Sequence, residues 1–237
     1  MPLYLFLDYD GTLVPIAATP ERAVPPPEIL RLLRALTATD GLRAAVVSGR
    51  DLPDLEALLP VPGLYLAACH GALIKPPRAE PYALIKQPEH RRLERLAAAT
   101  RELTFGRTGF LVEPKTLSLA LHYRLAHPAE AEAVLREFAA LRERHCPAPG
   151  WETVSGRKVP EVRPAGVNKG AAVLHLLDAW PGACPVYIGD DVTDEDAFRA
   201  LAGRGRTILV ADKPRPTAAQ QCLPRSAVLA FLHRLAL

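Results

Sequence analysis

The first residues whose types and spacing suggest chemistry are two aspartates after an apolar run. Residues 3–7 read LYLFL, and Asp8, Asp10, Gly11 and Thr12 come directly afterwards. A carboxylate can displace an alcohol from a phosphate monoester to form an aspartyl-phosphate, which water then hydrolyses, so one difficult step becomes two easier ones. Asp8 is therefore the candidate nucleophile.

A second carboxyl group is needed because a sugar alkoxide is a poor leaving group. It must protonate the leaving oxygen and later accept a proton from the attacking water. Asp10 lies two residues after Asp8 and could perform both transfers. The alternative is that the two aspartates form only an Asx turn at the end of a strand.

Ser48, Gly49 and Arg50 follow a second apolar run, residues 44–47. A hydroxyl group and backbone amides at the end of a strand could hold phosphoryl oxygens. We predict a catalytic role for Ser48 and substrate contacts for Thr12, Gly49 and Arg50. The alternative is a Ser-Gly turn that only caps the next helix.

Two further segments supply a cation and hard oxygen ligands. Lys169 stands at a predicted helix start and could offset the charge shared by nucleophile and phosphate, although many such lysines are solvated surface residues. Asp190 follows the apolar run 185–188, and Mg²⁺ needs only one or two carboxylates beside the phosphate. We predict a Mg²⁺ site formed by Asp8, Asp190 and the main-chain carbonyl of Asp10.

The acidic residues beyond Asp190 receive a different assignment. Asp194, Glu195 and Asp196 precede a predicted helix, where carboxylates cap free amides and interact favourably with the helix dipole. The segment lacks the sixth-position glycine of an EF-hand loop, which argues against that kind of calcium site. We assign these three residues mainly to helix capping.

The elements that must position these groups alternate along both ends of the chain. Apolar runs predict buried strands and 3.6-residue periodicity predicts helices between them. Such alternation favours an α/β fold with a Rossmann-like parallel sheet and helices on both faces, in which the carboxyl ends of strands bind ligands. The predicted strands are 3–7, 43–47, 63–68, 185–188 and 207–210, and the predicted helices are 26–38, 168–180, 195–201 and one from 226.

The middle of the chain has a different pattern, helix-strand-strand repeated twice. Helices are predicted at 89–103 and 129–145, with two strands around 114–116 and two more after residue 145. In residues 117–122, leucines alternate with Ser118, Ala120 and His122, so we expect helices to cover the leucine face and leave the polar face open. We predict a core of residues 1–77 and 163–237 with a cap domain, 78–162, inserted into it.

Composition narrows the classes of partner. The 29 basic and 26 acidic residues give a net charge of +3 and are spread along the chain, so we expect no nucleic-acid and no membrane-surface binding. No run approaches the roughly 20 apolar residues of a membrane span, and the N-terminal run lacks a signal-peptide pattern. Four widely spaced cysteines indicate neither a zinc site nor a disulfide framework. We expect a cytoplasmic monomer that binds a small molecule.

The motifs around Asp8, Ser48, Lys169 and Asp190, in this order, resemble the four motifs of the haloacid-dehalogenase-like (HAD) phosphatases. The insertion between the second and third motifs is similar to the type-2 (C2B-like) α+β cap of that superfamily. The resemblance implies a Mg²⁺-dependent phosphatase with an aspartate nucleophile, and a lid that excludes water and selects the substrate.

The segments 112–124 (VEPKTLSLALHYR) and 159–170 (VPEVRPAGVNKG) resemble the trehalose-6-phosphate phosphatases within that superfamily. This resemblance implies that Glu113, Lys115, Glu161 and Arg124 bind the hydroxyls of a sugar phosphate. It implies hydrolysis of trehalose 6-phosphate, the final step of trehalose biosynthesis. Two residues depart from the pattern: Cys69 replaces a small or acidic residue, and Asn168 replaces an aspartate.

Several alternatives remain open from the sequence. Glu113 and Lys115 could form only an exposed ion pair at a hairpin, and His122 could be a packed or solvated strand residue. The substrate could instead be sucrose phosphate, mannosylphosphoglycerate or another sugar phosphate. A signalling receiver domain also combines clustered aspartates, a hydroxyl residue, a lysine and Mg²⁺, but its acceptor aspartate follows a later strand. An inactive sugar-phosphate-binding module is the third alternative.

Overall fold

The computed structural model describes residues 2–17, 19–84, 90–156 and 158–236. The chain divides into a core unit, Met1–Leu84 with Asn168–Leu237, and a cap unit, Ile85–Val167. Both boundaries lie a few residues further along the chain than predicted. The predicted boundary at 77/78 would separate strand Tyr82–Ala83 from its partner in the core sheet, and the boundary at 162/163 lies within the last cap strand, which continues to Pro164.

Twelve strands and seven α-helices make up the described structure. The strands are β1 Leu3–Leu7, β2 Leu42–Val47, β3 Tyr65–Ala68, β4 Leu73–Lys75, β5 Tyr82–Ala83, β6 Leu111–Pro114, β7 Leu119–His122, β8 Trp151–Gly156, β9 Val159–Pro164, β10 Cys184–Gly189, β11 Arg206–Val210 and β12 Gln221–Leu223. The helices are α1 Pro27–Ala38, α2 Leu52–Leu58, α3 His90–Thr104, α4 Pro128–His145, α5 Lys169–Asp178, α6 Glu195–Ala200 and α7 Arg225–Leu235. The predicted strands and helices are confirmed within a few residues, and the predicted first residue of α3, Glu89, lies outside the described residues.

The core sheet has the strand order β12-β11-β10-β1-β2-β3-β4-β5. In the sheet, β2 lies on one side of the central pair β1 and β10, and β11 lies on the other side. The direction in which the chain adds successive strands therefore reverses between β1 and β10. Right-handed crossovers in opposite directions place α1 and α6 on opposite faces of the sheet. A crevice at such a switch point, outside the carboxyl ends of the strands, is where open α/β sheets bind ligands.

The strands around this switch point are buried on both faces, as their continuous apolar runs predict. Leu5, Phe6 and Leu7 of β1 have no exposed surface. Tyr4 and Phe6 point into a core cluster with residues of α5 and α6, while Leu5 and Leu7 point to the other face. One prediction was incomplete: β4 and β5 pair antiparallel at one edge, so the sheet is mixed. These strands are only three and two residues long, which is too short for hydrophobic periodicity to predict them.

The cap unit contains an antiparallel sheet in the order β6-β7-β9-β8. Leu119 and Leu121 of β7 are buried in one cluster with residues of α3 and α4. In the register of the sheet, Ala120 stands between Glu113 of β6 and Glu161 of β9, which places both carboxylates on the opposite face. The prediction of one helix-covered leucine face and one polar face is confirmed.

None of the helices in the described ranges is both long and apolar enough to cross a membrane. All four cysteines are free thiols. Burial raises the pKa of the Cys146 thiol to about 11, although Arg92 and Arg142 act in the opposite direction. The cytoplasmic location and the monomeric state stay predictions.

Substitution of two phenylalanines tests whether the packing of α3 and α4 on the cap sheet stabilises the cap unit. Phe138 is 2% exposed in the cap cluster, whereas Phe105 is 89% exposed. We expect Phe138→Ala to lower the free energy of unfolding by about 3–5 kcal/mol, because it removes a buried ring and leaves a cavity. Phe105→Ala should change it by less than about 0.5 kcal/mol. Chemical denaturation of both variants measures the difference, and equal effects would contradict this description of the cap core.

Candidate active site

Lys169, a buried lysine at the start of α5, contacts one aspartate that follows β1 and another that follows β10. Lys169 Nζ donates to Asp8 Oδ1 at 2.6 Å and to Asp194 Oδ1 at 2.7 Å. All three residues are at least 96% buried. Lys169 is the first residue of α5, and the side chain of Asn168 caps that helix by accepting from the Ala171 amide at 2.8 Å. Asparagine caps as well as aspartate does, so the departure at residue 168 leaves the helix start intact.

Asp190 reaches the same point from the neighbouring strand. The Asp8 amide donates to the Ile188 carbonyl at 2.9 Å, so the loops after β1 and β10 leave the sheet side by side. Gly11 has φ +93°, and a Cβ at this position would lie 2.2 Å from an Asp190 carboxylate oxygen. Only glycine allows the first loop to approach Asp190 so closely. Asp8, Asp190 and Asp194 each place one oxygen within 4.8 Å of the others.

The donor set fits a divalent cation. Three buried carboxylates lie together, the Lys169 ammonium bonds to only two of them, Asp8 and Asp194, and Asp8 Oδ2 accepts no hydrogen bond from any described residue. Burial raises the pKa of Asp8 well above its usual value, the charges of Asp194 and Asp190 add to this, and Lys169 opposes them. Burial acts to lower the pKa of Lys169, but the charges of Asp194 and Asp8 outweigh it and raise the pKa, which keeps the ammonium protonated. A hard cation bound by these oxygens would relieve the excess negative charge.

The prediction that Asp194 mainly caps a helix is wrong, because capping is only one of its contacts. Its Oδ2 does accept from the Asp191 amide at 2.8 Å, in a reciprocal capping box with Asp191. Its Oδ1, however, accepts from both Lys169 and the Tyr187 hydroxyl, the latter at 2.6 Å. The carboxylate is fully buried within the site and anchors Lys169. Tyr187, on β10, was not predicted at all, because its aromatic ring is indistinguishable by pattern from the apolar strand around it.

The predicted residues after β2 lie at the same edge of the sheet. Ser48 is buried, and its Oγ accepts from the Arg50 amide at 3.2 Å. A Cβ on Gly49 would lie 2.6 Å from the His70 ring, so any side chain at this position would have to displace that ring. His70 reaches that position from a left-handed backbone conformation, φ 58°. The thiol of Cys69, the other departure from the family pattern, donates to Asp51 Oδ1 at 3.2 Å at the cap of α2.

Asp10 and Arg50 form a bidentate ion pair. Arg50 Nε donates to Asp10 Oδ2 at 2.7 Å, and a terminal nitrogen donates to Asp10 Oδ1 at 2.8 Å. The Asp10 carboxylate is therefore not among the three clustered carboxylates, and the Arg50 guanidinium is already engaged. Thr12 is 2% exposed, and its hydroxyl has no hydrogen-bond partner among the described residues, which leaves it available to a ligand.

The polar face of the cap sheet holds a second charged cluster. Lys115 Nζ donates to Glu161 Oε2 at 3.0 Å, and Ser118 Oγ donates to Glu161 Oε1 at 2.5 Å. Glu113 Oε2 lies 2.6 Å from His122 Nε2. Three of the four predicted sugar-binding residues thus share one face.

The pairings within this cluster differ from the alternatives that the sequence left open. Lys115 pairs with Glu161 rather than with its hairpin neighbour Glu113, and the pair is buried rather than exposed. His122, interpreted as a packed or solvated residue, instead holds Glu113. Arg124 lies exposed in the turn after β7. Sequence periodicity could place Ser118 and His122 on the polar face, but their partners depend on side-chain directions.

The sequence model of the trehalose-phosphatase family matches residues 6–222. The chain belongs to this family. The match covers both units, and the enzyme is thus a phosphatase, which excludes the receiver-domain alternative. Among curated relatives, the chain is 36% identical to a probable trehalose-phosphate phosphatase of Sinorhizobium fredii, over 90% of this chain and 78% of that protein. It is 35% identical to a trehalose 6-phosphate phosphatase of Zea mays, over 99% of this chain and 70% of that protein.

Solved structures of the family agree with the fold. The C-terminal domain of the Candida albicans trehalose-6-phosphate phosphatase is 26% identical, with a TM-score of 0.84 over 99% of this chain and 92% of that chain. A haloacid dehalogenase-like hydrolase of Bacteroides thetaiotaomicron is 14% identical, with a TM-score of 0.70 over 99% of this chain and all of that chain. The predicted α/β HAD fold is confirmed.

Tyr187→Phe tests the anchoring of Lys169 and Asp194 in this family member. The variant keeps the ring packed on Phe198 but loses the hydroxyl that holds Asp194. We expect kcat to fall about 10- to 100-fold for every phosphate ester, because Asp194 loses a hydrogen bond to a buried charged group, worth about 1.5–3 kcal/mol, and holds Lys169 less firmly. Tyr82→Phe is the control, since Tyr82 lies on the edge strand β5 and its hydroxyl is hydrogen-bonded to His175 of α5 rather than to a residue of the site. Steady-state kinetics should separate the two, and an unchanged kcat in Tyr187→Phe would contradict the anchoring role.

Proposed function

We propose that this enzyme hydrolyses trehalose 6-phosphate to trehalose and phosphate through an aspartyl-phosphate on Asp8, with Mg²⁺ as cofactor. The main support is the asymmetry of the Asp8 carboxylate. Lys169 binds one oxygen, and the other oxygen, Oδ2, has no hydrogen-bond partner among the described residues. A nucleophile needs such a fixed orientation and one available lone pair.

The first step forms a bond between an Asp8 oxygen and phosphorus and breaks the bond between phosphorus and the sugar oxygen. Lys169 stays protonated and offsets charge that collects on the phosphoryl oxygens. The buried hydroxyls of Thr12 and Ser48 are proposed to donate to those oxygens. Water then attacks the aspartyl-phosphate, which releases phosphate and regenerates the Asp8 carboxylate.

Asp10 is proposed to protonate the leaving sugar oxygen and then to take a proton from the attacking water. Both of its oxygens accept from Arg50 in the structure, and we infer that this ion pair opens when Asp10 transfers a proton. The guanidinium released in this way becomes available to the substrate phosphate, as predicted for Arg50. The two roles are thus coupled through one side-chain contact.

Asp8 and Asp190, with the predicted main-chain carbonyl of Asp10, would hold the cation. When bound, Mg²⁺ would neutralise part of the charge shared by the carboxylates and the phosphate. Asp194 is less suited to direct coordination, since its two oxygens already accept three hydrogen bonds.

The polar face of the cap is proposed to bind the hydroxyls of the sugar. Charged groups form strong, directional hydrogen bonds, and Glu113, Lys115 and Glu161 supply both acceptors and a donor. The names of the relatives in Sinorhizobium fredii and Zea mays support trehalose 6-phosphate as the substrate. An inactive binding module is less well supported, because Asp8, Asp10 and Lys169 are all present and assembled.

Phosphate release from a panel of sugar phosphates tests this proposal. We expect kcat/KM for trehalose 6-phosphate to exceed that for sucrose 6-phosphate, mannosylphosphoglycerate and glucose 6-phosphate by more than about 100-fold, since unpaired polar groups in a site reject the wrong hydroxyl pattern.

The same panel is assayed after chelation. Addition of a chelator should abolish turnover, and Mg²⁺ in excess should restore it. Failure to hydrolyse trehalose 6-phosphate would contradict the proposed substrate, whereas full activity in the presence of the chelator would contradict the proposed Mg²⁺ cofactor.

A further inference from the structure

Two polar residues, Ser118 directly before the cap strand β7 and His122 at its end, lie on the same side as the predicted sugar-binding carboxylates. Side chains two and four residues apart in a strand share a face, so Ser118, Ala120 and His122 stand in a row. Ala120 is the register partner of both Glu113 and Glu161. Each polar residue of the row is therefore next to one carboxylate.

The two contacts are short and specific. Ser118 Oγ donates to Glu161 Oε1 at 2.5 Å, and His122 Nε2 lies 2.6 Å from Glu113 Oε2. Ser118 is 2% exposed, and its carbonyl also accepts from the Lys115 amide at 2.9 Å. One residue thereby fixes the backbone of Lys115 and the carboxylate to which that lysine is paired.

Neither residue is needed for the apolar packing of the cap. Leu119 and Leu121, which alternate with the polar row, supply the contacts to the cap helices. A glutamate side chain has several rotatable bonds, and ordering it when a ligand binds costs conformational entropy. A carboxylate already held by a neighbouring donor incurs less of this cost, so preorganisation raises affinity without a new ligand contact.

The ionisation of Glu113 agrees with this arrangement. Burial acts to raise the pKa of Glu113, but the His122 hydrogen bond and the charge of Lys115 outweigh it, so the pKa is lowered. Glu113 is therefore kept as an acceptor towards sugar hydroxyls. His122 contacts only Oε2 of Glu113. This contact also fixes the direction of the other carboxylate oxygen, Oε1.

We propose that Ser118 and His122 are positioning residues for substrate specificity, which hold Glu161 and Glu113 in the orientation that recognises a polyhydroxylated sugar phosphate. The inference rests on the proposed function of the cap face. It assigns no contact with substrate to either residue. Both act through the carboxylates, so their loss affects sugar phosphates and spares esters that have no sugar.

The experiment compares trehalose 6-phosphate with a small aryl phosphate in four variants. Ser118→Ala and His122→Phe remove the donors, while Ser118→Thr and His122→Gln keep one. We expect the donor-less variants to raise KM for trehalose 6-phosphate about 10-fold or more, the size associated with hydrogen bonds to charged groups. Turnover of the aryl phosphate should stay within about twofold of wild type. The donor-keeping variants should recover most of the lost affinity.

Matched controls come from the same unit. Ser155→Ala and His127→Phe change exposed residues of the cap and should leave both substrates unaffected. Thermal unfolding of all variants reports folding, and the donor-keeping pair provides the test if a donor-less variant unfolds. Equal losses on both substrates in folded protein, or no change in KM on either, would overturn the positioning role.

Failure of the proposed function gives a different result. If wild type ignores trehalose 6-phosphate but prefers another sugar phosphate, the same KM comparison is made on that substrate, where the positioning role still predicts a selective loss. If wild type hydrolyses all sugar phosphates no better than the aryl phosphate, the cap face recognises no sugar, and both proposals are wrong.

Discussion

The site depends on the burial of one ammonium group between two carboxylates. Taking Lys169 out of water is costly, and its contacts with Asp8 and Asp194 offset that cost only because the geometry is close and all three groups are fixed. The ends of β1 and β10 and the start of α5 must therefore meet at one point. Loss of any one partner would leave an uncompensated charge in the core.

The sheet topology makes this meeting possible. Chain order reverses at β1 and β10. The loops that follow these strands leave the sheet side by side and then lead to opposite faces of it, which leaves a crevice between them. In the cap, the carboxylates of Glu113 and Glu161 stand on the two strands that flank β7, and cations or donors hold them in place as well. In each unit, the charged groups of the described cluster lie at one end or on one face of the sheet, next to a buried apolar core.

The sequence was sufficient where a simple positional rule applies. Asp8, Ser48 and Asp190 follow buried strands and Lys169 begins a helix, so their convergence could be predicted from the parallel sheet alone. The pairing of Asp10 with Arg50 could not, since it depends on the directions of two side chains 40 residues apart.

Other misses have equally physical causes. Asp194 caps a turn and anchors a lysine at once, and pattern analysis assigns it only the local role. The short strands β4 and β5 are held by edge pairing rather than by an apolar run, so periodicity gives no signal for them. Hydrogen bonds between side chains on different strands, such as that of His122 to Glu113, are set by packing and not by spacing along the chain.

The most direct test of the central claim is to trap the phosphoryl group during turnover. Wild-type enzyme is mixed with trehalose 6-phosphate, quenched in acid within milliseconds, digested and examined by mass spectrometry. The account predicts an acyl phosphate on Asp8 in wild type, and neither an adduct nor turnover in Asp8→Asn, with Asp54→Asn, an exposed residue of α2, as the control. A phosphoryl group on another residue, or turnover by Asp8→Asn at the wild-type rate, would contradict it.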